Sequence, residues 1–228
     1  MITLAVDTST DVRAGVARDG VTLASAAVTD PRAHAEQLMP LVTSVLDEAG
    51  LALADVDEIV AGVGPGPFTG LRVGVVTATT LGLALRRPVR GVCSLDAVAR
   101  QWVDAGAPER FAVVSDARRK EVYWAVYSTQ AAAAGVPIDG ASCVRVDGPF
   151  VTSPPDVPNL PLAGPGARLV RPDAEGPAIL DAGILAARAS TLPDAGLEPL
   201  YLRRPDAELP SAPKTTIPQP RIALRRVR

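Results

Sequence analysis

The stretch that decides the fold is residues 2–28, ITLAVDTSTDVRAGVARDGVTLASAAV. It contains three largely apolar runs, at 2–6, 12–17 and 21–28. A polar corner that begins with Asp7 separates the first two runs, and the turn Asp19-Gly20 separates the last two. Short apolar runs divided by turn residues predict an antiparallel meander of strands. An aspartate therefore stands where the first predicted strand ends.

A similar pattern occurs near the middle of the chain. Phe111–Val114 is predicted as a short buried strand, and the corner Ser115-Asp116-Ala117-Arg118 leads to a return strand at Val122–Tyr127. The first strand of this unit also ends at an aspartate, Asp116. Two such units indicate an internal duplication, although the matching stretch is too short to prove one.

The rest of the chain alternates between helical and strand patterns. A helix is predicted from Asp30-Pro31 to Gly50, and Pro40 inside it predicts a kink or a late start. The next predicted elements are a strand at 59–63, a helix at 71–86, a strand at 89–92 and a helix at 95–103. The second half adds strands at 143–146 and 160–163 and a helix at 178–189. This order favours an α/β fold with parallel strands beside the first meander.

Composition excludes several classes of protein. The 228 residues are 47% hydrophobic and 21% charged with a net charge of −2, which indicates one large or two small packed domains. Two cysteines, Cys93 and Cys143, and the single histidine His34 are too few for a disulfide framework or a self-contained zinc or cysteine–histidine enzyme. No signal peptide and no membrane span are predicted, so we expect a cytoplasmic protein.

The last residues differ from the rest in charge. Residues 201–228 carry seven Lys/Arg and two Asp/Glu, and five prolines lie among them. Such a segment is typical of a flexible extension. The alternative is an electrostatic arm for RNA or an acidic protein face, although no aromatic residue stands among its arginines to stack on bases.

The segment GPGPFTG, residues 64–70, lies between a predicted strand and a predicted helix. A glycine-rich turn at a helix start can bind phosphate, but Pro65 and Pro67 lack the N–H groups that would do so, which favours a stiff turn. In the helix that follows, Gly70, Gly74, Ala78 and Gly82 recur every four residues and form one narrow stripe. Either another helix of the chain or a second subunit could pack closely on this stripe.

These motifs together resemble the TsaB (YeaZ) family. The matching segments are DTST at 7–10, HAEQLMP at 34–40, GPGPFTGLRVG at 64–74, DAR at 116–118, EVYWA at 121–125 and PLYLR at 199–203. Pro67 departs from the serine that is usual in the family. The resemblance implies the actin-like ATPase fold of sugar kinases and heat-shock chaperones, with two duplicated domains, the second reduced. The expected division is 1–106 and 107–204, followed by a flexible Pro/Arg-rich tail at 205–228.

The resemblance also implies a function. It implies a non-catalytic partner of the TsaD transferase, which makes N6-threonylcarbamoyladenosine at position 37 of tRNAs that read ANN codons. The small ATPase TsaE is expected to join that complex, and ATP or ADP with magnesium to act at the level of the complex. The chain is expected to contact tRNA only indirectly, through the complex. Without its partner the chain could form a homodimer. The expected interface is the glycine-rich helix with the helix after His34, namely Phe68, Gly70, Leu71, Gly74, Val75, Ala78, Gly82, His34 and Leu38.

No catalytic residue and no metal ligand are predicted. Alignment with the paralogue TsaD places Ser94 and Val98 where that family has a metal-binding histidine pair. Asp7, Thr8 and Ser9, with Asp116, could form a residual nucleotide site, or could satisfy their own turns. The rival functions are therefore an actin-fold ATPase or phosphotransferase that uses Asp7 and, more weakly supported, a metallopeptidase-like protein.

Overall fold

Two five-stranded sheets organise the chain. The structure is a computed structural model that describes residues 1–29, 34–130, 134–138 and 143–203. The tail predicted at 205–228 and the predicted helix start at Asp30-Pro31 lie outside the described residues.

The first sheet has the strand order β3-β2-β1-β4-β5. Strands β1, β2 and β3 form the antiparallel meander predicted from the opening stretch, and β4 and β5 add parallel strands beside β1. The strands are β1 Ile2–Asp7, β2 Val12–Arg18, β3 Val21–Val28, β4 Glu58–Gly62 and β5 Val89–Val92.

Three helices accompany the first sheet: α1 His34–Glu48, α2 Phe68–Leu85 and α3 Ser94–Asp104. Helix α1 continues through Pro40. Helix α2 begins directly after Pro67. Arg86, which follows its last residue, has a left-handed conformation (φ 56°, ψ 45°) and caps the helix, and its N–H donates to the carbonyl groups of Gly82 and Leu83. The predicted helices therefore exist, with ends that differ by a few residues.

The second sheet repeats the arrangement of the first in reduced form. Its order is β10-β6-β7-β9-β8, in which β6, β7 and β9 form an antiparallel meander and β10 lies parallel to β6, as β4 does to β1. The elements are β6 Arg110–Arg118, β7 Glu121–Ser128, β8 Val136–Pro137, β9 Val144–Thr152, β10 Leu162–Ala163, and the helices α4 Ala167–Val170 and α5 Ala182–Arg188. The predicted actin-like fold with two duplicated units, the second reduced, is confirmed.

Four predicted elements in the second half had the wrong length. The strand predicted at 111–114 continues through the expected corner to Arg118 as β6, and the strand predicted at 160–163 has only two residues as β10. The strand expected at 143–146 continues to Thr152 as β9, and the helix expected at 178–189 begins only at Ala182. The late start has a local cause, because the Asp181 carboxylate accepts hydrogen bonds from the N–H groups of Gly183 (2.7 Å) and Ile184 (3.4 Å) and so caps the helix.

A shared core joins the two sheets. Side chains from both sheets and from α3 and α5 form one buried cluster, which includes Val60, Trp102, Phe111, Tyr127 and Leu185. Helix α5 follows the second sheet in sequence but packs against β1, β2 and β3 of the first. Separate clusters cover the outer face of each sheet. The chain therefore has layers of helices and sheets with α3 and α5 in the middle.

Helix α2 is long and apolar enough, by length and composition, to cross a membrane, and it is the one such helix among the described residues. From the sequence, a helix is predicted here but no membrane span. Such a helix alone is weak evidence for a membrane span, because a core helix passes the same test. Helix α2 packs on β4, β1 and β5.

Candidate functional site: the cleft and the helix beside it

Asp7, the aspartate at the end of β1, is fully buried and has hydrogen-bond partners within the chain. One carboxylate oxygen accepts from the backbone N–H (2.8 Å) and the hydroxyl (2.6 Å) of Ser9, and the other accepts from the Ser94 hydroxyl at 2.5 Å. Burial raises the pKa of Asp7, although these hydrogen bonds and the nearby Arg13 oppose the rise. Both oxygens are therefore occupied inside the protein and do not face solvent.

Thr8 is buried against α2. Its hydroxyl donates to the Gly70 carbonyl oxygen (2.7 Å) and accepts from the Gly74 N–H (3.0 Å), so it joins two successive turns of the helix. A Cβ built at Gly70 would collide with the Thr8 carbonyl oxygen, and one built at Gly74 would collide with the Thr8 hydroxyl. The two glycines are required because the β1–β2 corner lies directly on the helix.

Asp116, the aspartate of the second unit, forms its hydrogen bond and ion pair within its own turn. It is half-buried, and its carboxylate accepts from the Arg118 N–H at 2.7 Å and lies 3.4 Å from the Arg118 guanidinium. Ser9 and Ser115 line the cavity between the two units, which has a volume of about 10 Å³. That is room for about one water molecule, whereas ligand pockets measure roughly 300–1,000 Å³.

All four residues proposed for nucleotide binding therefore form hydrogen bonds or ion pairs within the chain: Asp7, Thr8, Ser9 and Asp116. The structure favours the local alternative that the sequence left open, in which these side chains support their turns. It also gives Ser94 a role that the sequence did not predict, because Ser94 bonds to Asp7 from 87 residues further along the chain.

The stripe of small residues on α2 faces inward, which corrects the expectation that it forms a partner interface. A Cβ at Gly82 would collide with the Val89 side chain, so this end of the stripe is covered by β5. The other proposed interface residues on this side are also buried, namely Gly70, Leu71, Gly74, Val75 and Ala78. Of the two neighbours that the sequence allowed for the stripe, the structure therefore supports one within the chain. The glycines lie against the β1–β2 corner and β5, and Ala78 lies in the buried cluster that contains side chains of α1.

The predicted contribution of α1 is changed as well. Leu38 is fully buried in the core beneath the first sheet and is therefore not an accessible interface residue. His34 is the first residue of α1, but its side chain lies outside the described part of the structure.

The opposite side of α2 is exposed, and large apolar side chains lie on it beside Arg72, Thr79 and Thr80. Phe68, Val76 and Leu83 have 39%, 61% and 81% of their surface accessible, and their spacing places them on one face of the helix. We call these three residues with Arg72 and Tyr201 the outer α2 face. The Phe68 and Tyr201 rings lie 4.8 Å apart, the Arg72 guanidinium lies 4.1 Å from the Phe68 ring centre, and Arg72 donates to the Tyr201 hydroxyl at 3.1 Å.

Comparison with known proteins places this arrangement in a family. The model of the TsaD family, described as tRNA N6-adenosine threonylcarbamoyltransferase, matches residues 27–146. The solved structure of YeaZ from Pseudomonas aeruginosa superimposes with a TM-score of 0.65 at 31% identity and covers 88% of this chain and 99% of its own. The chain belongs to the TsaB (YeaZ) family.

Two relatives show how far the sequence similarity extends. An Escherichia coli protein named tRNA threonylcarbamoyladenosine biosynthesis protein TsaB is 36% identical over 125 residues, or 54% of each chain. An uncharacterised protein of Mycobacterium tuberculosis is 44% identical over 214 residues, which cover 90% of this chain and 93% of the relative.

In this TsaB-family chain, Ser94 and Val98, which the resemblance set at the positions of a histidine pair, have other contacts. Ser94 bonds to Asp7 and to the Gly64 N–H (3.2 Å), and Val98 is buried in the central core. Two residues after Ser94, the buried Asp96 accepts from the Tyr127 hydroxyl (2.8 Å) and pairs with Arg145 (3.2 Å). Helix α3 thus contacts both sheets. Its Ser94 binds the Asp7 carboxylate of the first sheet, and its Asp96 binds Tyr127 and Arg145 of the second.

Sequence reasoning missed most of the outer α2 face. It named Phe68 as an interface residue but did not single out Arg72, Val76 or Tyr201 for a shared surface. Part of the signal was available, because Phe68, Arg72, Val76 and Leu83 repeat at helical spacing opposite the glycines. Tyr201 lies 129 residues from Arg72, so only the fold brings the two together.

Proposed function

We propose that this chain is the non-catalytic partner of a TsaD-type transferase, and that the pair makes N6-threonylcarbamoyladenosine at position 37 of tRNAs that read ANN codons. The observation that carries the proposal is the exposed outer α2 face. In the described part of the chain, the cavity lined by Ser9 and Ser115 has room for only about one water molecule. The names of the relatives in the TsaB family support a role in this tRNA modification.

The outer α2 face has the composition of a protein interface. Helix α2 has 18 residues and is therefore about 27 Å long, and Val76 and Leu83 are apolar side chains mainly in contact with water. Two aromatic rings and an arginine stand at its N-terminal end, and these residue types are enriched among the residues that dominate binding energy. Covering this face would remove apolar surface from water at about 25 cal/mol per Å².

A paralogue is the partner that suits this surface best. A TsaD-type chain shares the duplicated fold and would present a corresponding helix, so the two helices could pack around a pseudo-twofold axis. The same geometry would allow two copies of this chain to pair when the paralogue is absent. The heterodimer is thus expected to use the outer face of the glycine-rich helix and not its glycine stripe.

The closed cleft supports a non-catalytic role. Asp7 would have to give up three hydrogen bonds and become exposed before it could hold a magnesium–phosphate group. Nucleotide chemistry in the complex is therefore assigned to the transferase and to a TsaE-type ATPase, which use ATP or ADP with magnesium. The complex acts on tRNA, and we expect it in the cytoplasm.

The experiment is to combine the purified chain with a TsaD-type partner and measure association by calorimetry and tRNA modification in the reconstituted system. The test variant is Val76→Asp/Leu83→Asp. The matched control is Leu169→Asp/Ile179→Asp, since Leu169 (55%) and Ile179 (53%) are comparably exposed apolar residues outside α2. We expect the test variant to bind the partner at least about tenfold more weakly and the control to bind normally.

The outcomes separate the rival functions. Equal association of the test variant and the wild type would overturn the assignment of the outer α2 face. Nucleotide turnover by the isolated chain that is lost in Asp7→Asn would instead favour the actin-fold ATPase. Peptide hydrolysis that requires added metal would favour the metallopeptidase.

A further inference from the structure

The outer α2 face carries an arginine whose position is fixed although its side chain is exposed. Arg72 lies one turn from the start of α2. Its guanidinium lies 4.1 Å from the centre of the Phe68 ring, and its Nε donates to the Tyr201 hydroxyl at 3.1 Å. The two rings in turn pack on each other, with their centres 4.8 Å apart. A long side chain that samples many rotamers in water is therefore ordered here before any partner arrives.

The segment that carries Tyr201 is itself anchored on both units. On one side of Tyr201, the Leu200 N–H donates to the Val63 carbonyl oxygen at 2.8 Å, directly after β4. On the other side, the Arg203 guanidinium donates to the Ala117 carbonyl oxygen of β6 at 2.9 Å. The tyrosine ring thus reaches α2 from a backbone that is held at two points, and its hydroxyl is a positioned acceptor for the arginine.

Most of the hydrogen-bonding capacity of Arg72 is unused within the described residues. A guanidinium carries several N–H donors, and the bond to Tyr201 takes only the one on Nε. Other arginines of the chain have a carboxylate close by, as Arg188 has Asp104 at 2.7 Å. For Arg72, the contacts within the described residues are those with the two rings. Its two terminal nitrogens therefore remain available, and together they match the two oxygens of a carboxylate.

The surroundings of Arg72 favour a protein as the source of that carboxylate. Val76 lies one turn further along the same face with 61% of its surface exposed, and Leu83 lies two turns beyond it with 81% exposed. Large aliphatic side chains gain free energy when apolar groups cover them, whereas contacts to a nucleic-acid backbone are polar. Apolar and aromatic side chains beside an arginine are the composition of the central part of a protein interface.

We infer that Arg72 binds a carboxylate of the TsaD-type partner, an aspartate or glutamate side chain that faces the first turns of α2 in the heterodimer, and that Tyr201 positions the guanidinium for it. The inference rests on the proposed function and specifies the chemistry that the partner offers at this point of the interface.

The pair would contribute to both affinity and specificity. A carboxylate that accepts from both terminal nitrogens forms a bidentate, charge-assisted pair, and an arginine ordered in advance loses little freedom when it binds. A protein without a carboxylate at this place would leave the Arg72 cation desolvated and unpaired, which disfavours the wrong partner.

The experiment measures association of the full chain with a TsaD-type partner by calorimetry over a range of KCl concentrations. The test variants are Arg72→Gln, which removes the charge, and Arg72→Lys, which keeps the charge but not the fork of donors. Tyr201→Phe keeps the ring contact and removes the hydroxyl that accepts from Arg72. The matched control is Arg168→Gln, since Arg168 is an exposed arginine on α4, away from α2.

We expect Arg72→Gln to bind the partner at least about tenfold more weakly and to weaken the dependence of affinity on salt. Arg72→Lys should recover only part of the loss, because an ammonium group cannot form the bidentate pair. Tyr201→Phe should bind about threefold more weakly in the wild-type chain and cause no further loss in Arg72→Gln, since the hydroxyl acts through the arginine. Arg168→Gln should stay within about twofold of wild type.

The outcomes separate the inference from the proposed function. If Arg72→Gln binds like wild type while Val76→Asp/Leu83→Asp loses the partner, the inference is wrong and the proposed function stands. An equal loss in Arg168→Gln would also overturn the inference, because the effect would then come from net charge. A wild-type chain that does not associate with the partner would overturn both.

A labelled tRNA transcript is titrated with the same variants to test the other source of an anion. If Arg72→Gln weakens binding of the transcript and leaves association with the partner unchanged, the guanidinium binds a phosphate and the inference is wrong.

Discussion

Replacing Gly74 by alanine tests whether the glycine stripe of α2 is an internal contact. In an exposed helix this change stabilises the fold by about 1 kcal/mol, because alanine has the higher helix propensity. Here the new methyl group would collide with the Thr8 hydroxyl, which is buried and bridges Gly70 and Gly74. Thr8 would have to move, and the cost of overpacking and of disturbed buried hydrogen bonds is about 1–3 kcal/mol each.

We therefore expect Gly74→Ala to lower the free energy of unfolding by about 2 kcal/mol, which lowers the melting temperature by about 4–8 °C for a chain of this size. Urea titration followed by circular dichroism measures the change. The control is Thr80→Ala on the exposed side of α2, which should stay within about 0.5 kcal/mol of wild type. Adding Thr8→Ala to Gly74→Ala should cost less than the sum of the two single changes. A Gly74→Ala protein as stable as wild type would refute the internal packing of the glycine stripe. The stripe would then be a surface that could still bind a partner.

Two further predictions concern buried ionisable groups. Because burial raises the pKa of Asp7, the folded chain keeps a proton that the unfolded chain loses. This group therefore contributes stability at low pH that disappears as pH rises through its raised pKa. Asp7→Asn should flatten the fall in unfolding free energy measured as pH rises above the ordinary pKa of an aspartate, about 3.9, and an unchanged slope would contradict this. Burial also raises the pKa of Cys93 to about 12, so at pH 8 about one Cys93 thiol in 10⁴ is ionised. Iodoacetamide should therefore leave Cys93 unmodified in the native chain and alkylate it in denaturant. Mass spectrometry of the two samples measures the difference.

The strands and helices were largely predictable because their signals are local. Residues 2–28 contain the alternation and turn residues of the first meander, and the structure places its strands within one residue of the predicted bounds. The late start of α5 was missed because the capping bonds of Asp181 depend on a specific backbone geometry. The long β9 was missed because Gly148 and Pro149 interrupt its strand pattern, whereas pairing with β7 keeps the segment extended.

The candidate site was less predictable, because each of its contacts joins distant parts of the chain. Ser94 bonds to Asp7, and Tyr201 packs on Phe68, through separations that no periodicity reveals. The charged turn at Arg118–Lys120 was visible as a sequence, but its left-handed backbone was not, since these residue types do not favour it.

The sequence by itself therefore determined the order of the elements, the two matched meanders and the bare stripe on α2. Only the tertiary structure decided which side of that helix is covered. Helical spacing shows that Gly70, Gly74 and Gly82 share a side, but it does not name the neighbour, and the fold places the Thr8 corner and Val89 there. Close packing on the glycines then leaves Val76 and Leu83 on the opposite side in solvent, because a helix on the outside of a sheet can bury only one of its faces.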